Sequence, residues 1–278
     1  MRFNRIISDI VLVENSFRFS DKIKIKFLNT IDSVFKREDS ELRKLKQLKK
    51  NTNSIELQMK DDWDLRAKKN PYYFIRTVKN QSEDEFWQSG YFDRNSILEN
   101  KSISNNLSKK FDTLKVLEIG CGIGRILFPM SEQFQESVGV DVSQEMVSIA
   151  NKKVKDNLNC KILLNNGKDL SELPSNHFDL CYSFVVFQHI PDKKIIRNYI
   201  KEVSRVLKPN RCFRLQVRGM HYIDPVKMRL FEKPFNNTWL GAQFSSKEIY
   251  EIANENGFSV VEESGEGTEY YWLTFLLQ

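Results

Sequence analysis

Three glycines stand at alternate positions in Glu118-Ile119-Gly120-Cys121-Gly122-Ile123-Gly124. A carboxylate lies two residues before the first of them, and a second, Asp141, follows about 20 residues later. Glycine lacks a Cβ, so such a turn is tight and lets a ligand lie against bare backbone. Glu118, at the carboxyl end of a strand, suits a ligand carrying an ammonium group. Asp141, ending the next strand, can accept from both hydroxyls of a ribose, which by itself does not separate one adenosine-bearing ligand from another. A dinucleotide fingerprint needs glycine where Arg125 stands, and the Gly-Lys-Ser/Thr of a Walker loop is absent. A third reactive group is His189. An unperturbed imidazole titrates near pH ~6.5 and can take a hydroxyl proton at neutral pH. Its bland alternative is a structural histidine hydrogen-bonded at a strand end.

These groups need strand ends to hold them. Val116, Leu117 and Ile119 form a short buried strand over 115–119, followed by the glycine turn and a helix over about 124–134, in which Pro129 sits awkwardly. Strand two is Ser137–Asp141. Ser143 then caps a helix bearing Met146, Val147, Ala150 and Val154. Strand three is Lys161–Leu164, strand four Phe178–Val185, and strand five Cys212–Val217, with a helix over Ile195–Leu207 between the last two. After an insert at 218–244, a helix over Ser245–Asn256 is stopped by Gly257. Residues 258–262 and 269–276 make a terminal hairpin. Strand and helix alternate throughout, which argues a parallel sheet with helices on both faces.

Glu118 through Gly124 resembles the first motif of the class I S-adenosylmethionine-dependent methyltransferases, E/D-x-G-x-G-x-G. Two further stretches resemble the same family in the expected order: Phe178-Asp-Leu-Cys-Tyr-Ser-Phe-Val-Val-Phe-Gln-His-Ile-Pro-Asp192, as in its small-molecule enzymes, and Glu202-Val-Ser-Arg-Val-Leu-Lys-Pro209. The family's usual Pro-Gly-Gly reads Pro209-Asn210-Arg211 here, and asparagine tolerates the left-handed turn. The resemblance implies a Rossmann-like, seven-stranded, mostly parallel α/β sheet with an N-terminal helical extension. It implies S-adenosylmethionine as cofactor and S-adenosylhomocysteine as product. It places Glu118, Gly120, Cys121, Gly122, Gly124 and Asp141 around the cofactor, with Val142 and Met146 on the adenine. Asp169 would accept from the adenine amino group while Gly167 and Lys168 shape their loop, and backbone at Phe184 and Val185 would face the methionine part. Gln188 and His189 would lie near the acceptor, with Arg218, His221 and Tyr222 at the start of the insert.

Upstream, Ile55, Met59, Trp63 and Ala67 recur every four residues on one helix face. Asn53 and Glu56 are a possible cap pair, and Asn70-Pro71 a stop. Trp63 through Ile75 resembles the W-x-x-R-A-x-x-N-P-x-Y-Y stretch of a bacterial subgroup, where it covers the cofactor; Tyr73 is carried over as a cover residue. Asn70-Pro-Tyr-Tyr73 is not the N-P-P-Y motif of DNA amino-methyltransferases, since a charged helix precedes it. Residues 76–114 read as helical, with Gly90 breaking the pattern.

The organisation expected is therefore a basic arm over 1–60, a helical cap over 61–112 and the catalytic domain over 113–278. The formal charge of +6 resides in the arm, with 14 Lys+Arg against 8 Asp+Glu over 1–60 and 29 of each elsewhere. The arm reads as a solvated charged helix, or as a contact for nucleic acid or a peripheral membrane surface. Four scattered cysteines without a C-x-x-C pair suggest buried thiols in a reducing compartment and no metal site. No run approaches ~18 apolar residues, so the expected home is the cytoplasm. The function expected is methyl transfer to a small polar acceptor, an oxygen of a sugar, glycan or lipid precursor, with His189 as candidate base. The competing readings are an RNA methyltransferase using the arm and a non-catalytic cofactor-binding protein. Oligomeric state is left open.

Overall fold

The computed structural model describes residues 54–107, 110–220, 238–239 and 241–278. Residues 1–53, and with them most of the arm expected over 1–60, lie outside the described residues, as do His221 and Tyr222. One compact unit runs from Thr52 to Gln278, so the cap helices and the sheet belong to one body.

Two helices lead. Helix α1 (Ile55–Lys69) is capped by Ser54, whose hydroxyl accepts from the amide of Leu57. Asn70 ends it and at once caps α2 (Pro71–Arg76), where Pro71 occupies the first turn and forfeits no hydrogen bond. Helix α3 (Glu83–Leu98) opens on a capping box between Ser82 and Glu85. Gly90 does not break it. A Cβ there would stand 1.9 Å from the carbonyl oxygen of Arg125, so the glycine lets α3 lie directly on the loop after β1. A short helix, α4 (Lys101–Ser104), follows.

The sheet comprises β1 (Lys115–Ile119), β2 (Glu136–Asp141), β3 (Cys160–Leu164), β4 (Phe178–Ser183), β5 (Leu207–Gly219), β6 (Gln243–Phe244), β7 (Phe258–Ser264) and β8 (Tyr271–Leu277). Its order is β3-β2-β1-β4-β5-β8-β7, with the short β6 paired to the end of β5. The first five strands are parallel, and β8 runs antiparallel to both β5 and β7. Chain order reverses between β1 and β4, and the carboxyl ends flanking that point form the crevice where open α/β sheets bind ligands. Between them run α5 (Leu127–Ser131), α6 (Gln144–Lys153), α7 (Lys193–Val206) and α8 (Ser246–Glu255). Helix α5 is shorter than expected because it begins at Leu127, which puts Pro129 in its first turn.

Alternate strand residues face opposite layers. Leu117, Ile119 and Cys181 pack against Ile196, Ile200 and Val203 of α7, while Val116, Leu180 and Tyr182 pack against Ile97 and Ile103. Each fully buried side chain of this kind contributes about 1.5–3 kcal/mol. The cap is held by a smaller cluster, Ala67, Phe86, Ile123 and Met146. It is thus the layer that costs less to displace. Among the described residues no helix is long and apolar enough to cross a membrane.

Candidate functional site

A cleft of about 980 Å³, counting its open mouth, lies over the carboxyl ends of β1, β2 and β4. That is the size of a small-molecule site. Its floor is the glycine turn, where Gly120, Gly122 and Gly124 have φ of 75°, 54° and 86°. L-residues rarely occupy that region. A Cβ on Gly120 would fall 2.4 Å from the side chain of Val186, and one on Gly122 would meet Ile75 of the cap at 3.0 Å. Any side chain there would fill the cradle.

Asp141, at the end of β2, accepts from the amide of Gly122 at 2.8 Å and from that of Ser143 at 2.9 Å. One carboxylate thus ties the turn to the following loop. Burial pushes its pKa up to about 6, against the opposing pull of those amides. Glu118, at the end of β1, is buried and accepts from the Tyr182 hydroxyl at 2.8 Å. Burial raises its pKa to about 8, although Tyr182 and the nearby Arg125 both favour the ionised form. Burial thus favours the neutral acid, and a cation beside it would favour the ionised form.

Phe184, Val185 and Val186 line the far wall. Val185 has φ of 59°, a rare value for a β-branched residue. Such strain costs on the order of 1–3 kcal/mol and gathers at ligand sites.

Of the residues expected at the cofactor, Glu118, Gly120, Cys121, Gly122, Asp141, Val142, Met146, Phe184 and Val185 line this cleft. Gly124 sits in the turn behind it, and Gly167 packs near Met59 and Val142 without lining it. Asp169 is not brought to the cleft. Its carboxylate accepts from Asn166 and Ser171 on the outer side of the loop, and Asn165 occupies the lining position instead. Lys168 points outward to Glu56 at 3.9 Å. Tyr73 borders a separate surface groove, while its neighbours Phe74 and Ile75 enter the cleft. Residues not anticipated as lining include Met59, Arg125, Asn165 and Tyr199. Met59 and Trp63 share the four-residue periodicity, which was the signal for them. Tyr199 donates to Asn165, a pairing across the fold that no local pattern reveals.

His189 lines the cleft beside Trp63. Its protonation follows from its neighbours. Gln216 Nε2 donates to the carbonyls of Val217 and Glu269 at 2.9 and 2.6 Å, so that atom is the amide nitrogen. It also lies 3.0 Å from Gln188 Oε1, and Gln188 Nε2 lies 3.2 Å from His189 Nε2. His189 Nε2 must then accept, and the proton resides on Nδ1, which donates to the Trp239 carbonyl at 2.6 Å. Burial lowers the ring's pKa to about 4, the Trp239 bond opposes this, and Arg66 and Arg218 reinforce it. Both nitrogens are engaged and the ring is a weak base. The expected general base is thus a ring whose Nε2 accepts from Gln188 and whose protonation burial disfavours. Gln188 acts on His189 rather than on an acceptor. Arg218 pairs with Glu269 at 3.2 Å and bonds the Gly241 carbonyl.

The cap completes the wall. Arg66, buried, lies 4.7 Å from the centre of the Trp63 ring and 5.4 Å from that of Trp239. It donates to Thr238 Oγ1, which donates to the buried Asp62, each at 2.8 Å. Asp64 accepts from the Ser143 hydroxyl at 2.6 Å and the Glu145 amide at 3.1 Å, joining α1 to the start of α6.

The donor set suits an adenosyl amino acid: a carboxylate for a ribose diol, another for an ammonium, and a side-chain-free turn between them. Among the described residues no cluster suited to a metal occurs.

Comparison with known proteins agrees with this geometry. Residues 116–210 match the family model described as a methyltransferase domain. An uncharacterized protein of Methanocaldococcus jannaschii, MJ1123, is 30% identical over 171 residues, covering 60% of this chain and 75% of the relative. Phosphoethanolamine N-methyltransferase 1 of Arabidopsis thaliana is 30% identical over 124 residues, 42% of this chain and 25% of that protein. The chain thus spans only a quarter of the length of that relative. The crystal structure of magnesium protoporphyrin IX methyltransferase from Synechocystis PCC 6803 with bound S-adenosylhomocysteine superimposes with a TM-score of 0.57 at 17% identity, covering 81% of this chain and 100% of that one. That likeness speaks to the fold. With the family model, the 30%-identical relatives and the cleft all in accord, the chain belongs to the class I S-adenosylmethionine-dependent methyltransferases.

Proposed function

We propose that the chain binds S-adenosylmethionine in this cleft and directs its methyl group to a hydroxyl oxygen of a small molecule. The observation carrying the reading is the convergence of Glu118, Asp141 and the left-handed glycine turn on one cleft that also has an aromatic second wall. A sulfonium methyl is already activated, so placement in line and exclusion of water matter more than acid–base machinery.

In this reading Asp141 holds the ribose hydroxyls and Glu118, once ionised, the ammonium. Val142 and Asn165 flank the adenine. Backbone at Phe184 and Val185 borders the methionine part. Met59, Trp63 and Ile75 of the cap exclude water. His189, fixed by Gln188 and Trp239, is a rigid part of the acceptor wall and leaves proton removal to solvent. The hydroxyl expected from the sequence is kept as the acceptor group, its proton passing to solvent. The RNA reading rests on residues 1–60, and nothing among the described residues favours it.

The test is calorimetry with S-adenosylmethionine and S-adenosylhomocysteine, followed by a labelled-methyl assay against fractionated cell extract read by mass. Saturable heat and a labelled small product are expected. Absence of heat on folded protein removes the reading, while heat without any labelled product favours a cofactor-binding protein that does not turn over.

A further inference from the structure

One stretch of the cleft wall is made of rings. Trp63, Phe74 and His189 line it, and Trp239 backs them. His189 stands edge-on to Trp63 at 5.4 Å and tilted on Trp239 at 5.1 Å. Phe74 meets Trp239 edge-on at 5.9 Å, and the two indoles lie 6.5 Å apart. Aromatic enclosures commonly receive an ammonium on their faces. Here a cation of the protein's own, the Arg66 guanidinium, already stands on both indoles, locked by Thr238 and Asp62. A second cation beside it would be repelled at low dielectric. The nearby carboxylates are already taken: Asp62 accepts from Thr238, and Glu269 pairs with Arg218. Among the side chains of this ring wall a sugar finds few hydrogen-bond partners. His189 has spent both nitrogens, and Trp63 and Phe74 present mostly ring surface.

On the basis of the methyl-transfer reading above, we infer that the acceptor is an uncharged hydroxyl-bearing aromatic ring of the phenol or catechol type, seated against Trp63 and Phe74. Ring-on-ring packing contributes about 0.5–1.5 kcal/mol beyond the area it buries. The chemistry of the wall agrees. A phenolic hydroxyl ionises near pH ~10, as in tyrosine, far more readily than an aliphatic alcohol. It can be methylated where the nearest imidazole is neutral and engaged at both nitrogens. The oxygen–methyl bond forms as the carbon–sulfur bond breaks, the sulfonium becomes a neutral thioether, and the hydroxyl proton passes to water.

The experiment uses the full chain. S-adenosylhomocysteine is titrated first, then catechol, methyl glucoside and tetramethylammonium chloride are each titrated into the saturated protein. Catechol should bind saturably, at least tenfold more tightly than the other two, and Phe74→Leu should weaken it about tenfold while S-adenosylhomocysteine affinity holds within about twofold. Trp63→Phe, which keeps a ring, should weaken catechol less than Phe74→Leu. No heat with S-adenosylhomocysteine sinks the methyl-transfer reading and this one with it. Normal S-adenosylhomocysteine binding overturns the aromatic assignment alone if catechol gives no saturable heat, if glucoside or tetramethylammonium matches it, or if Phe74→Leu leaves it unchanged.

Discussion

The two halves of the cleft are made in different ways. The proposed cofactor side is backbone and carboxylate: strand ends, a glycine-rich turn, Glu118 and Asp141, all between positions 118 and 186. The proposed acceptor side is side chains brought from far apart, Trp63 and Phe74 from the cap, His189 from the turn after β4, and Trp239 from the insert. A ligand shared by a whole family can be held by what the fold itself provides. A ligand particular to one protein must be held by residues that the fold leaves free to change.

The sharpest test of this division is Asp141→Ala. It would remove the proposed ribose contacts and strand two amides, and hydrogen bonds to a charged group are each worth about 1.5–3 kcal/mol. S-adenosylhomocysteine affinity should fall at least about 100-fold by calorimetry, with lower thermal stability. An effect under about tenfold would break the assignment of the halves.

Next is Gly120→Ala, which forces a Cβ into Val186 from a left-handed backbone. Cofactor affinity should drop by about 10-fold or more, with a melting temperature several degrees lower. A tolerated alanine would mean the turn is not the cradle.

The pH behaviour separates the halves without any mutation. Glu118 has a folded pKa of about 8, above its unfolded value of 4.5, so folding takes up a proton. Its stabilisation of the ligand-free protein is full below pH 4.5 and fades as the pH rises through 8. The melting temperature should fall across that window, and Glu118→Gln should flatten the fall. An ammonium-bearing ligand ionises Glu118, so binding releases a proton and strengthens as the pH rises toward 8. His189, at about 4, should contribute no inflection between pH 6 and 8, and its Nδ1 proton should persist in NMR spectra over that range. A His189 transition near neutrality would restore the base role.

The smallest effect is expected at Val185. Glycine there relieves the left-handed strain, and Val185→Gly should leave stability within about 1 kcal/mol of the parent, because strain relief offsets the lost side chain. Denaturant unfolding decides it, and a loss above about 3 kcal/mol would deny that the strain exists.

The same division explains what was legible beforehand. The sheet, its order of elements and the glycine turn were readable because period-two burial and glycine spacing are local signals. So were Glu118 and Asp141, which end strands. Gly90 was misread as a breaker because its reason is a carbonyl 35 positions away in sequence, at Arg125. Asp169 was misplaced because nothing in Asn165-Asn-Gly-Lys-Asp169 says which side chain turns inward; three of its side chains bond within the loop, and Tyr199 settles the matter from α7. The state of His189 depends on Trp239, Gln216 and Glu269, which come from far along the chain.

The Asp64 carboxylate gives the closed cleft a built-in reporter. It belongs to the cap yet completes the first turn of α6, the helix that carries Met146. Swinging the cap aside to admit a nucleoside would strip that turn of its acceptor, and deuterium would enter at the amide of Glu145. The exchange rate of that one proton, slowed when product occupies the cleft, would clock how often the door opens.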